Sequence, residues 1–346
     1  MGREVRSAVL SGSVADGDQS TYRRAVGAAF AAPTTGARLA ALEGLYAGDV
    51  AWHGPHPIDD CAGREAVLAR FWRPLFAAFP DLERREDICI AGSWQGTGWI
   101  GATGHYAGTF AADWLGIRAT RGYASIRYGE FVRLSGGQVR EAYVILDLLD
   151  LMRQAGAWPL APPLGNADRV PGPMTRDGVR SEAGDAAESA KSLALVEAMI
   201  AGLMRYDGRS LDSMEQWLYW HRDFTWYGPA GIGTCRGQAD YRRVHQGPFL
   251  AAFPDRVGGD HKCRIADGTY VGSTGWPSIR ATHLGGGFLG LPPTRRRITM
   301  RVMDFWRRDG ELLRENWVFI DLLDLLAQMG LDVMARMEEL LEELSS

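Results

Sequence analysis

Arg140-Glu-Ala-Tyr-Val-Ile-Leu-Asp-Leu-Leu-Asp-Leu-Met-Arg-Gln-Ala-Gly156 occurs a second time, as Arg314-Glu-Asn-Trp-Val-Phe-Ile-Asp-Leu-Leu-Asp-Leu-Leu-Ala-Gln-Met-Gly330. The offset, 314 − 140 = 174, recurs far upstream: Trp52 falls on Trp226, and Phe79-Pro80-Asp81 on Phe253-Pro254-Asp255. Cys61 and Cys89 fall on Cys235 and Cys263 in the same register. A constant offset over so long a span marks a duplicated domain, and its period is too long for a solenoid repeat. The expected organisation is one copy over residues 21–156, a linker over 157–190, a second copy over 191–332, and a C-terminal helix over 333–346.

The bulk numbers agree with that division. At 346 residues, 46% hydrophobic and 23% charged, the chain has the composition of an ordinary globular protein. Each half, at about 140 residues, can bury its own core. A net charge of −4 and a pI near 6.0 argue against a nucleic-acid surface. Arg295-Arg296-Arg297 is the only basic run. No apolar run approaches the ~18 residues of a membrane span, and Met1-Gly-Arg-Glu-Val-Arg lacks the apolar core of a secretion signal. Four cysteines make no disulfide framework, although a Cys61–Cys89 bridge stays open; the expectation is a cytoplasmic protein without membrane partners.

Along each copy, helices come first and strands follow. Residues 1 to about 20 are without periodicity and read as a loose lead-in. Leu39, Leu42, Leu45 and Tyr46 are spaced for a short helix. Val67, Leu68, Phe71, Trp72, Leu75, Phe76 and Phe79 form the apolar stripe of a longer helix that stops at Pro80. Strands are predicted at Trp94–Ile100, Gly104–Phe110, Tyr123–Leu134 and Val139–Leu146, the last two joined by a turn at Ser135-Gly136-Gly137. A short helix after Asp147 closes the copy at Gly156. Prolines 159, 162, 163, 171 and 173 then make a linker with little to bury. The second copy repeats the order, with its last hairpin at Asp309-Gly310. Val333, Met334, Met337, Leu340 and Leu341 give an extra helix one apolar face, for the body of the protein or a partner. The fold class expected is α+β: two cone-shaped copies, each a curved antiparallel sheet packed with N-terminal helices and enclosing a cavity. The two sheets are expected face to face as an internal pseudo-dimer, with further homo-oligomerisation left open.

Thr282-His283-Leu-Gly-Gly-Gly-Phe288-Leu-Gly290-Leu-Pro292-Pro293-Thr294, followed by Asp309-Gly310, Glu315-Asn-Trp317 and Asp321, resembles the SnoaL-like polyketide cyclases of the nuclear-transport-factor-two-like superfamily. The first copy is similar more loosely, through Gly104-His105-Tyr-Ala-Gly108-Thr-Phe110, Leu115-Gly116-Ile117 and Glu141…Asp147. Matching His105 to His283 needs an offset of 283 − 105 = 178 rather than 174. The resemblance implies a cofactor-free intramolecular aldol closure with an Asp acid/base. Relatives include isomerases, dehydratases, epoxide hydrolases and non-enzymes, so the fold alone does not decide the function.

Alternation along the last strand puts Glu141, Tyr143, Ile145 and Asp147 on one face, and Glu315, Trp317, Phe319 and Asp321 on the same face of the second copy. A carboxylate among apolar groups suits proton abstraction beside a carbonyl, which makes Asp147 and Asp321 the candidate catalytic residues. The bland reading is that each caps the helix that follows it. A two-residue turn would bring Asp304 (Glu130 in copy one) across from them, whereas a bulged turn would bring Arg307 (Arg133) instead. His105 and His283 are candidate proton donors, each against the commoner role of tying down a loop. Trp52, His53, His56, Tyr143, Trp226, Tyr227, Arg307 and Trp317 are candidates for contact with a small apolar ligand, against the plainer role of aromatic core. His53-x-x-His56 is poorly shaped for a metal because of Pro55 and Pro57, and Gly285–Gly287 lacks the lysine of a phosphate loop, so no metal or cofactor is expected. Three functions fit: a cofactor-independent cyclase or related carbon-acid enzyme, a hydrolase or isomerase using an Asp–Arg pair, or a non-catalytic binding module.

Overall fold

The computed structural model describes residues 13–180 and 182–343. The first half runs α1 (Ser13–Ala31), α2 (Thr35–Leu45), β1 (Tyr46–His53) and β2 (Cys61–Ala62), then a helix built from α3 (Arg64–Val67), a π-turn over Leu68–Trp72 and α4 (Arg73–Ala78). Strands β3 (Glu83–Trp94), β4 (Thr97–Thr109), β5 (Tyr123–Ser135) and β6 (Gln138–Leu146) follow, and α5 (Leu148–Gln154) closes the half. The second half repeats this as α6 (Ala186–Leu203), β7 (Trp220–Tyr227), β8 (Thr234–Arg236), α7 (Gly237–Tyr241), a π-turn over Arg242–Gln246 and α8 (Gly247–Ala252). It ends with β9 (Val257–Gly258), β10 (His261–Asp267), β11 (Tyr270–Thr282), β12 (Arg297–Asp309), β13 (Leu312–Ile320), α9 (Leu322–Met329) and α10 (Val333–Glu343). The sheets have equivalent orders, β2-β1-β6-β5-β4-β3 and β10-β11-β12-β13-β7-β8. β1 lies parallel to β6 and β7 parallel to β13, so the sheets are mixed rather than purely antiparallel.

Local chemistry explains several details. Pro74 and Pro248 sit at the start of α4 and α8, and a π-turn precedes each. A proline inside a helix removes one N–H and collides with the preceding turn, and the extra residue of a π-turn relieves both problems. The strand expected at Trp94–Ile100 is a hairpin instead. Gln95 and Gly96 both adopt positive φ between paired Trp94 and Thr97. The expected lead-in is helical from Ser13, and residues 1–12 lie outside the described residues. All four cysteines are free and buried.

Each sheet has two buried faces. The inner one packs on its own helices, and the outer one meets the outer face of the other sheet. That shared layer holds Ile88, Ile90, Trp99, Phe131, Tyr143 and Ile145 of the first half against Tyr227, Ile265, Met303, Phe305, Trp317 and Phe319 of the second. Phe131 and Phe305 are equivalent, 305 − 131 = 174, and their rings stack at 5.1 Å. Equivalent residues meet only on a rotation axis, so a pseudo-two-fold passes between them. Two further contacts obey the same symmetry. Asp147 caps α5 and accepts a hydrogen bond from the Ala230 backbone N–H (2.9 Å), while Asp321 caps α9 and accepts one from His56 N–H (3.0 Å). Ala230 is the equivalent of His56.

The linker is more than a tether. It pairs with β8 through Asn166 and Thr234, and with β3 through Cys89 and Val179, which covers one edge strand of each sheet. The Trp317 indole N–H donates to Pro171 O (2.9 Å), and Val170 joins the apolar layer. An extended proline-rich chain has unsatisfied carbonyls to offer, so a segment poor in apolar side chains still docks through its backbone. Helix α10 buries Val333, Met337 and Leu341, with Met334 and Met337 close to Gly116 of the first half.

Replacing Asp147 or Asp321 with alanine removes a helix cap and a contact between the halves. Each variant is expected to lose about 1–3 kcal/mol in urea unfolding. Asparagine at either position keeps an acceptor oxygen and should hold most of that stability.

Candidate functional site

The inner face of the second sheet and helices α6–α8 enclose a cavity of about 220 Å³. Its walls are largely apolar, with Trp220, Trp226, Tyr241, Phe249, Trp306 and four methionines, Met199, Met204, Met214 and Met300. Methionine fills irregular space and adapts to a ligand's outline. Met204 and Val257, both more than half exposed, stand at the opening.

Among the described residues, one carboxylate faces this space. Asp304 lies on β12, and its Oδ1 accepts from the Asn316 side-chain amide on β13 at 3.2 Å. Burial pushes its pKa up to about 7, against the lowering effects of the Asn316 hydrogen bond and the Arg264 charge. His245, in the π-turn of the adjacent helix, stacks on Trp226 with ring centroids 4.3 Å apart. Burial pushes its pKa down to about 3, so the imidazole is neutral at physiological pH. Its Nδ1 has no hydrogen-bond partner among the described residues.

The equivalent space in the first half is filled. Glu130, the counterpart of Asp304, is held by the Arg84 guanidinium and the Tyr22 hydroxyl. Tyr106 stacks on Tyr128 at 4.5 Å, and the Trp72 indole N–H donates to the Tyr46 hydroxyl at 3.1 Å. Phe30 packs against Trp72, Phe76 and Tyr106. At the 174 offset, Phe71 becomes His245, Trp72 becomes Gln246, Phe76 becomes Leu250 and Tyr128 becomes Val302. Shrinking side chains open the second cone.

Of the residues singled out from sequence, Trp226 and Asp304 line this cavity and the rest lie elsewhere. Tyr143, Tyr227, Trp317 and Arg307 belong to the layer between the sheets, where Tyr143 donates to Glu141 (2.7 Å), Tyr227 to Glu315 (3.2 Å), and Arg307 pairs with Glu315. The expected cavity face is therefore the sheet-to-sheet face. A bulge between Arg307 and Arg308 puts Arg307 beside Glu315 and leaves Asp304 on the inner side. Period-two alternation separates two faces but cannot name the inner one when both are buried.

Asp147 and Asp321 cap helices at the rim of that layer, each raised by burial to about 6. Trp52 is packed on Phe71 inside the filled cone, at 5.1 Å. His53 stacks on Tyr143 at 4.6 Å and lies 3.1 Å from Asp60, and His56 lies 3.3 Å from Asp59. His105, on β4, is 3.1 Å from Asp87. His283 follows β11, 3.1 Å from the Thr294 hydroxyl and against Phe253. The two histidines are not counterparts. Phe253 meets His283 as Phe79 meets Phe110, so the residue equivalent to His283 is Phe110.

His245 was absent from the sequence candidates because it sits in an amphipathic stripe. The usable signal was a histidine where the other copy has Phe71.

Buried Glu130 partly neutralises Arg84, so Glu130→Ala leaves that guanidinium short of a partner and should cost about 3 kcal/mol, measured by urea unfolding. Asp304→Asn should act oppositely. Its folded pKa lies above the ordinary carboxylate value, so its contribution to stability is fully present below about pH 4 and is lost as pH rises through about 7. The asparagine variant is expected to melt several degrees above wild type at pH 8, with the difference shrinking towards pH 4.

Comparison with known proteins agrees with this architecture. The model of the SnoaL-like polyketide cyclase family matches twice, over residues 24–155 and 203–329. No curated protein matches. Among solved structures, the chain is similar to AclR, a putative hydroxylase from Streptomyces galilaeus, with 17% identity over 42% of this chain and 86% of that one, TM-score 0.35. IdmH, a putative polyketide cyclase from Streptomyces antibioticus, shows 21% identity over 40% and 98%, TM-score 0.32. A putative SnoaL-like polyketide cyclase from Jannaschia sp. CCS1 shows 18% identity over 43% and 98%, TM-score 0.34. With two matches that together span most of its length, the chain belongs to the SnoaL-like polyketide cyclase family, in tandem form.

Proposed function

We propose that the second half is a cofactor-independent carbon-acid catalyst of the cyclase type, with Asp304 as its acid and base. The observation that carries this reading is a single carboxylate, poised near pH 7, facing an apolar cavity. A base whose pKa lies near the working pH combines a useful ionised fraction with enough driving force for proton transfer. Asp304 takes a proton from carbon beside a carbonyl. The negative charge moves to the carbonyl oxygen as an enolate, and neutral His245 donates a hydrogen bond to that oxygen. The enolate carbon attacks a second carbonyl in the same molecule, a carbon–carbon bond forms, and the alkoxide takes the proton back from Asp304.

The Asp–Arg alternative has less support, because Arg133 and Arg307 are engaged with Glu141 and Glu315 on the opposite face of each sheet. The first half acts as scaffold in this proposal.

Exchange of the α-protons of 2-tetralone in D2O, followed by NMR, tests the first step without the natural substrate. Enzyme-catalysed exchange should rise with pH through about 7 as Asp304 ionises. Asp304→Asn should lower it by roughly 100-fold, while Asp147→Asn and Asp321→Asn keep it. Exchange no faster than buffer, or unchanged in Asp304→Asn, sinks the proposal.

A further inference from the structure

Arg256 lines the open cavity and has no acidic partner among the described residues. It follows the Phe253-Pro254-Asp255 corner, and its side chain is only partly exposed, beside Val257, which is about half exposed. One guanidinium nitrogen, Nη2, donates to the Leu203 carbonyl at the end of α6 (2.8 Å), and the group lies 5.7 Å from the Tyr206 ring. Its remaining donors carry no protein acceptor among the described residues. Burial lowers its pKa.

The position is specific to the open cone. At the 174 offset the first half has Leu82, which is buried in its filled core. An arginine that only capped α6 would not need to line the cavity, since a helix C-terminus is satisfied as well by water or by a glycine turn. Guanidinium has a planar fork of donors that matches a carboxylate. A half-desolvated guanidinium gains more from that pairing than an exposed one does.

We infer that Arg256 is the anchor for a carboxylate on the ligand, so that the cavity takes an apolar carbonyl compound bearing an acid group, bound with its charged end at the opening. This rests on the second cone being the ligand site, and it adds a substrate class to that reading. The rest of the lining is apolar apart from Asp304, a few neutral polar groups and two histidines, His245 and His261, whose pKa values burial lowers, so the ligand's remaining carbon skeleton is uncharged. A second carboxylate deeper in the cavity would meet Asp304 and be repelled. The bound molecule is therefore a monoacid with its reactive carbonyl away from the acid end.

The test compares 2-naphthylacetic acid with its methyl ester, read by quenching of tryptophan fluorescence, since Trp220, Trp226 and Trp306 surround the cavity. The acid should bind at least tenfold more tightly than the ester at pH 7.5, as expected for a charge-assisted pair. Arg256→Gln should bring the two affinities together by weakening the acid alone. A guanidinium with a structural role only would weaken both probes equally. Equal affinity of the two probes in wild type, no binding of either at millimolar concentration, or an acid preference that survives Arg256→Gln overturns the assignment. Asp304→Asn provides the separation from the catalytic proposal: it should lower proton exchange by roughly 100-fold while keeping, or strengthening, the preference for the acid.

Discussion

The apolar layer between the two sheets is the constraint on which the rest of the molecule depends. Once Phe131 stacks on Phe305 across the pseudo-two-fold, the outer face of each sheet is committed to the other half. Strands that cross the layer are then buried on both sides, which is why β6 and β13 end in the unbroken apolar runs Ala142–Leu146 and Trp317–Ile320. The polar groups that do enter the layer are tied in pairs, Arg307 to Glu315 and Tyr143 to Glu141. The reciprocal aspartates at the rim hold the turns after β1 and β7 in place. With the outer faces occupied, chemistry is left to the inside of the cones.

Only one cone stays open. The contrast is written in matched positions, where Phe71, Trp72, Phe76 and Tyr128 fill what His245, Gln246, Leu250 and Val302 leave empty. The open cone forgoes the side-chain contacts that fill its counterpart, and that lost packing costs stability. The filled first cone and the layer between the sheets offset it. Stability and binding are thus divided between the two halves.

The duplication, the α+β class and most turns were legible in the chain, because each is a local signal: the 174-residue offset, the Gly-rich hairpins, the aspartates before α5 and α9. The site was much less so. Glu315, Trp317 and Asp321 alternate as a cavity-lining strand would, yet the same alternation describes a face buried against another sheet. Asp304 was visible only as one of two hairpin registers, and the bulge at Arg307–Arg308 that selects between them has no sequence marker. His245 and Arg256 stood out only by comparison with Phe71 and Leu82. Duplicated chains carry their own reference, and departures from the repeat locate function better than the repeat itself.

The linker that joins the halves has a consequence for how the protein behaves on dilution. A pair of sheets formed from separate chains falls apart when the chains become scarce, because association is second order. Here the partner is always present at the high effective concentration that a docked tether imposes. Unfolding should therefore be independent of protein concentration, and the open cone should keep its shape in cells that make very few copies. The same tether allows the two cones to differ, since a substitution in one is not imposed on the other.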